Sequence, residues 1–273
     1  MSNPTSIKDI IHNNLTIPTI PAVVQKVTAL IEDPDCGTAE IGQLIAQDAP
    51  LAAKVLRIAN SAYYGLSGEC MSTQHASTVL GVRVLRNIVT QVAVISQFDH
   101  LEKETGFDVS GLWKHSVLTA HLCSFFAKRC RKALGLTAEE LYVCGLLHDI
   151  GKIVMLDGLG KDYVELALAA KNSELALFAA EKRHYTFTHT DVGGVVASRW
   201  GLPQAVGQAI QFHHGPAEKI AGSTVVSLVA NANLFVHRLD EGNPAAATQV
   251  FDGQTAGFLG LTPRDLDEAV DFV

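Results

Sequence analysis

A chain of 273 residues makes one large domain or two small ones and can bury most of its unfolded surface without a disulfide or metal staple. Hydrophobic residues make up 48% of it and charged residues 18%, a balance that excludes a disordered polypeptide. The formal net charge of −7 disfavours nucleic-acid binding through a broad basic surface.

Residues 1–14 read as a loosely held lead-in without the basic start and apolar run of a secretory signal. Between Pro50 and Pro203 there is no proline, and apolar residues there recur at three- and four-residue steps. Leu51, Val55 and Ile58 make one such stripe, and Leu85, Val89 and Val92 another. Helices are predicted near 22–32, 38–47, 50–62, 73–80, 82–98, 111–132, 138–149, 161–181, 190–200, 203–213 and 222–239. Thr137 and Glu140 form a capping box, Gly201 and Pro203 end one helix and open the next, and Thr262-Pro263 opens a last helix through Val273. Residues 241–260 read as a surface loop. The fold class predicted is all-α. Asp48 and Pro50 read as a helix junction, and Asp48, Asn60 and Tyr63 are expected to serve the fold.

The most apolar candidate for a membrane span, Ala221 to Val236, is broken by Ser223, Ser227, Asn231 and Asn233, so no membrane association is predicted. Five cysteines without a CxxC pair read as reduced thiols, and a cytoplasmic location is expected.

Eleven histidines are present. His12, His75, His100 and His237 sit among polar neighbours and read as surface or packing residues, and His121 and His184 differ little. The rest lie on apolar faces. His115 shares one with Leu118 and Leu122, His148 follows Leu141 and Cys144, His189 lines up with Val192 and Val196, and His213, beside His214, with Val206 and Ile210. Imidazole and carboxylate ligands suit Zn, Fe, Mn or Ni, and bundle helices can aim them into one interior. In Leu146-Leu147-His148-Asp149-Ile150-Gly151-Lys152, adjacent side chains share an ion only near a helix end, which Gly151 is expected to supply. Lys152 follows one turn on, placed to hold a phosphate oxygen or to sit against the negative end of the helix.

At these residues the chain resembles the HD superfamily of metal-dependent phosphohydrolases, specifically its HDOD branch of bacterial signalling proteins. The resemblance also rests on Ile17-Pro18-Thr19-Ile20-Pro21, Ile45-Ala46-Gln47-Asp48-Ala49-Pro50-Leu51, Leu56-Arg57-Ile58-Ala59-Asn60-Ser61-Ala62-Tyr63-Tyr64 and Ala76-Ser77-Thr78-Val79-Leu80-Gly81. It implies an HD-superfamily helical bundle with an additional N-terminal helical half. The domain would span 15–240, as an N-terminal half over 15–108 and an HD-like half over 109–240, with 241–273 as a loop and C-terminal helix. It also implies one or two divalent or iron-type metal ions, with His115, His148, Asp149, His189, His213 and His214 as ligands and Lys152 as the phosphate-holding residue. The final aspartate ligand of that superfamily is missing: the helix from Val225 to Val236 offers only asparagines, and Asn231 is expected at its position. Gly111 stands where some relatives carry a glutamate ligand. The resemblance therefore implies a regulatory module acting on a signalling protein partner or a small nucleotide, or alternatively a metal-dependent phosphohydrolase.

Overall fold

The computed structural model describes residues 17–33, 36–66, 68–130, 134–172, 177–251 and 253–272; the lead-in over 1–14 lies outside them. Among the described residues every regular element is a helix and there is no strand, so the chain is all-α. It divides into two compact units, Pro18–Asp99 and the described residues from His100 onward together with Ile17. The division at 99/100 falls ahead of the 108/109 boundary read from the sequence. No helix among the described residues is long and apolar enough to cross a membrane.

The first unit contains α1 (Ala22–Glu32), α2 (Thr38–Ala46), α3 (Ala49–Ala59), α4 (Thr73–Leu80) and α5 (Val82–Gln97). Its core gathers Val27, Ile45, Val55, Ala76, Leu85 and Ile88, the inward stripes of all five helices. Asp48 caps α3 by accepting from the Leu51 N–H at 3.0 Å, with Pro50 in the first turn. Asn60, exposed, pins the following loop through both amide atoms: its Nδ2 donates to the Cys70 carbonyl at 3.0 Å and its Oδ1 accepts from the Cys70 N–H at 2.7 Å. Tyr63 is exposed and packs edge-on against Tyr64.

The second unit begins with α6 (Leu101–Thr105), α7 (Val109–Arg129) and α8 (Ala138–Leu147), followed by α9 (Ile150–Leu159), α10 (Lys161–Asn172) and α11 (Leu177–His184). It continues with α12 (His189–Arg199), α13 (Gln204–Phe212), α14 (Ala217–Ala221), α15 (Thr224–Asp240), α16 (Pro244–Val250), α17 (Gly253–Leu259) and α18 (Pro263–Phe272). Thr137 and Glu140 form the expected capping box of α8. That helix packs on α7 so closely that a Cβ at Gly145 would lie 2.6 Å from the Ala120 Cα.

Two sequence expectations are corrected here. The helix predicted over 138–149 stops at Leu147, and α9 starts at Ile150, so the two residues between, His148 and Asp149, sit at a junction and Gly151 lies inside the first turn of α9. Every residue from Ile150 to Leu156 is buried, so α9 has no polar face from which its period could be read. Gly151 is required by packing instead: a Cβ there would overlap the His189 carbonyl oxygen at the start of α12. The loop expected over 241–260 contains α16 and α17. Asn243 accepts from the Ala246 N–H at 3.0 Å and Pro244 occupies the first turn, so Asn-Pro is here a helix start.

Candidate metal centre

All of the centre lies in the second unit. His115 comes from the buried face of α7, His148 and Asp149 from the α8–α9 junction, and Lys152 from the first turn of α9. His189 opens α12, and His213 and His214 follow the end of α13. The structure brings all seven together. Ligand atoms of Asp149, His189, His213 and His214 lie within 4.8 Å of one another, and so do those of His115, His148 and Asp149. Asp149 belongs to both groups.

The Asp149 carboxylate is ringed by three imidazole nitrogens. His148 Nε2 lies 3.3 Å from Oδ2, while His189 Nε2 and His213 Nε2 each lie 3.4 Å from Oδ1 and 3.4 Å from each other. Each ring donates its Nδ1 proton away from the centre: His148 to the Gly145 carbonyl at 2.7 Å, His213 to the Ile210 carbonyl at 2.8 Å, and His189 to Glu181 Oε2 at 2.7 Å. Those partners accept only, so each neutral ring is left with a lone pair on Nε2. Three lone pairs then face one anion, and two of them face each other, an arrangement that repels unless a cation stands among them. His148 Nε2 and Asp149 Oδ1 are accordingly buried with no hydrogen-bond partner. The donor set, imidazole nitrogen plus carboxylate oxygen, fits a first-row transition metal or zinc.

Electrostatics act in the same direction. Burial pushes His213 down to about 4, and it holds His115 and His214 well below the usual imidazole range, helped by neighbouring rings. At neutral pH these rings carry no charge, which is the form that binds metal. Burial alone would raise the Asp149 carboxyl, but the Lys152 ammonium beside it holds it well below the usual carboxylate range. Lys152, itself buried, donates from Nζ to Asp149 Oδ2 at 2.6 Å.

The asparagine that reaches the centre is not the one expected. Asn233, not Asn231, reaches the centre: it is buried, and its Oδ1 accepts from His115 Nε2 at 2.8 Å. Asn231 turns back onto its own helix and donates to the Ser227 carbonyl at 2.7 Å. They stand two positions apart, about 200° around a helix, so a two-position difference in alignment moves the side chain off the site. His237, which reads as a surface residue, is exposed but lies against His115 with ring centroids 4.3 Å apart.

Sequence reasoning missed Glu181. It is fully buried at the end of α11 and accepts from His189 Nδ1 at 2.7 Å, the His189 N–H at 2.8 Å and the Tyr163 hydroxyl at 2.5 Å. Burial would raise its carboxyl, but His189 and Tyr163 hold it below the usual value. In the sequence the one available signal is an acid eight residues ahead of a candidate ligand.

With this geometry in view, the sequence profile of the HDOD domain matches residues 17–216. The chain belongs to the HDOD domain family. It is similar to an uncharacterized protein of Treponema pallidum (strain Nichols), 29% identical over 234 residues, which cover 84% of this chain and 44% of that protein. The chain thus spans less than half the length of that relative. Among solved structures it resembles an HDOD domain protein of unknown function from Geobacter sulfurreducens, with a TM-score of 0.81 at 24% identity, covering 97% of this chain and 92% of that one. It also resembles a protein of Shewanella amazonensis SB2B provisionally assigned as a phosphohydrolase, with a TM-score of 0.74 at 25% identity, covering 93% and 90%.

Proposed function

We propose that this chain is a bacterial signalling HDOD domain that works in the cytoplasm, holds metal on Asp149 and its surrounding histidines, and acts by binding a partner protein or a small nucleotide. The observation that carries the reading is the convergence of three imidazole Nε2 atoms on one buried carboxylate, with their Nδ1 atoms turned to outer acceptors, an arrangement that suits a cation. His148, Asp149, His189, His213 and His214 would hold the ion, with His115 at the margin beside Asn233. Bound there, a metal supplies a Lewis acid to a phosphate oxygen and lowers the pKa of bound water.

The remaining roles belong to the chain itself. Lys152 brings an ammonium group to the same carboxylate, where it can share a phosphate oxygen with the ion. Glu181 and the Gly145 and Ile210 carbonyls fix three rings in the tautomer that leaves Nε2 free to ligate. Asp149 is the one carboxylate in either ligand group among the described residues, and Lys152 is paired with it. A site with so little negative charge leaves net positive charge on a bound ion, which suits holding a phosphate-bearing ligand.

Hydrolysis is the second reading, favoured by one observation: the ligand atoms of Asp149, His189, His213 and His214 converge within 4.8 Å, with Lys152 alongside. Elemental analysis after purification without chelator, followed by turnover assays on bis(p-nitrophenyl) phosphate and on nucleotides, separates the two. Metal without turnover supports the binding module, metal-dependent turnover lost in Asp149→Ala supports the hydrolase, and absence of metal overturns both.

A further inference from the structure

Four of the five histidines in the two ligand groups that share Asp149 are backed unequally. His148 and His213 rest on backbone carbonyls, His115 on the neutral amide of Asn233, and His189 on the carboxylate of Glu181. Among these four, His189 alone is backed at hydrogen-bond distance by a charge; Asp240, the acid beside His115, stands 4.0 Å away with its side chain half exposed. Glu181 is held as firmly as a ligand would be, fully buried under three donors: the Tyr163 hydroxyl, the His189 ring and the first N–H of α12. An anion at the N-terminus of a helix is favoured by the backbone dipoles, so the carboxylate is stabilised where it stands. A carboxylate on the far nitrogen of a ligating imidazole fixes the ring and raises its basicity.

We propose that Glu181 is a positioning residue which, acting through His189, makes the Asp149–His189–His213–His214 group the tighter seat for metal and leaves the His115–His148–Asp149 group the weaker one. This rests on the metal-binding reading above and deepens it. Glu181 supplies, one imidazole removed from the ion, the second negative charge that Asn233 does not provide. The ion therefore sits first on the side of the bundle formed by α11, α12 and α13.

Titration of the full chain, stripped of metal, with Co²⁺ tests this by calorimetry and by the visible absorption of the bound ion. Glu181→Gln keeps the shape and removes the charge. The tight step is expected to weaken by about 10- to 100-fold, with a shifted Co²⁺ spectrum and unchanged circular dichroism. His115→Ala should leave the tight step within about twofold. Equal weakening by both substitutions, or an unaltered tight step in Glu181→Gln, overturns the proposal while leaving the metal-binding reading intact. Failure of the unsubstituted protein to take up Co²⁺, Zn²⁺ or Mn²⁺ overturns both. Should Glu181→Gln not fold, ¹⁵N spectra of the unsubstituted protein with one equivalent of Zn²⁺ decide the matter. Perturbed His189 and His213 ring nitrogens are expected, and perturbation of His115 first overturns the proposal.

Discussion

Asp149 carries contradictory demands: it is buried, it pairs with Lys152 at 2.6 Å, and it is the carboxylate common to both ligand groups. Asp149→Asn should abolish metal uptake and also strand a buried ammonium, destabilising the metal-free protein by about 3–5 kcal/mol in urea unfolding. Asn233→Asp places an acid against the His115 ring and should tighten the weaker metal step by about tenfold or more, as a carboxylate hydrogen-bonded to a ligating imidazole does. Asn231→Asp is the control, because that side chain faces Ser227, and calorimetry should show no change. Protonation gives a further test in chelator-treated protein. His121 and His213 are pushed down to about 4 by burial, so the unfolded chain, with histidines near 6.5, binds protons that the folded chain refuses. Stability is then full above about pH 6.5 and falls towards pH 4, by at most about 1.4 kcal/mol per pH unit for each such ring. Depressed Asp149 and Glu181 add their loss only below the ordinary carboxylate range. Urea titrations at pH 7, 5.5 and 4.5 read the slope, and a flat profile would mean that these rings titrate normally.

At the scale of elements, the centre depends on where helices stop. The α8–α9 break turns two adjacent side chains, His148 and Asp149, towards one point, and the closeness of α9 to α12 brings His189 to them. Gly151→Ala drives a methyl group into the His189 carbonyl and should cost about 1–3 kcal/mol while weakening metal uptake, since it moves the start of α12. Much of this was legible in the residues. The capping box at Thr137, the start at Pro263 and the stripes through Leu51 and Leu85 carry local chemistry that acts whatever surrounds it. Helix α9 was hidden because a segment buried all round has no amphipathic period, and α16 because Asn-Pro serves turns and helix starts alike. Within the centre, each of the seven candidate side chains sits on an apolar stripe or beside the His-Asp pair and could be picked out. Glu181 and the choice between Asn231 and Asn233 could not, since both depend on how distant helices face each other.

At the scale of the whole molecule, the unit over Pro18–Asp99 carries five α-helices among its described residues, and the other unit contains the entire centre. All side chains proposed to hold metal therefore lie in one unit, and metal binding should protect that unit first. The most direct measurement is the metal content of the full chain purified without chelator, compared with that of Asp149→Ala, with thermal unfolding followed before and after chelation. The account predicts bound transition metal or zinc in the unsubstituted protein, its loss in the variant, and a lower unfolding midpoint once the metal is removed. Metal at background level in both proteins, with a midpoint indifferent to chelator, would contradict it.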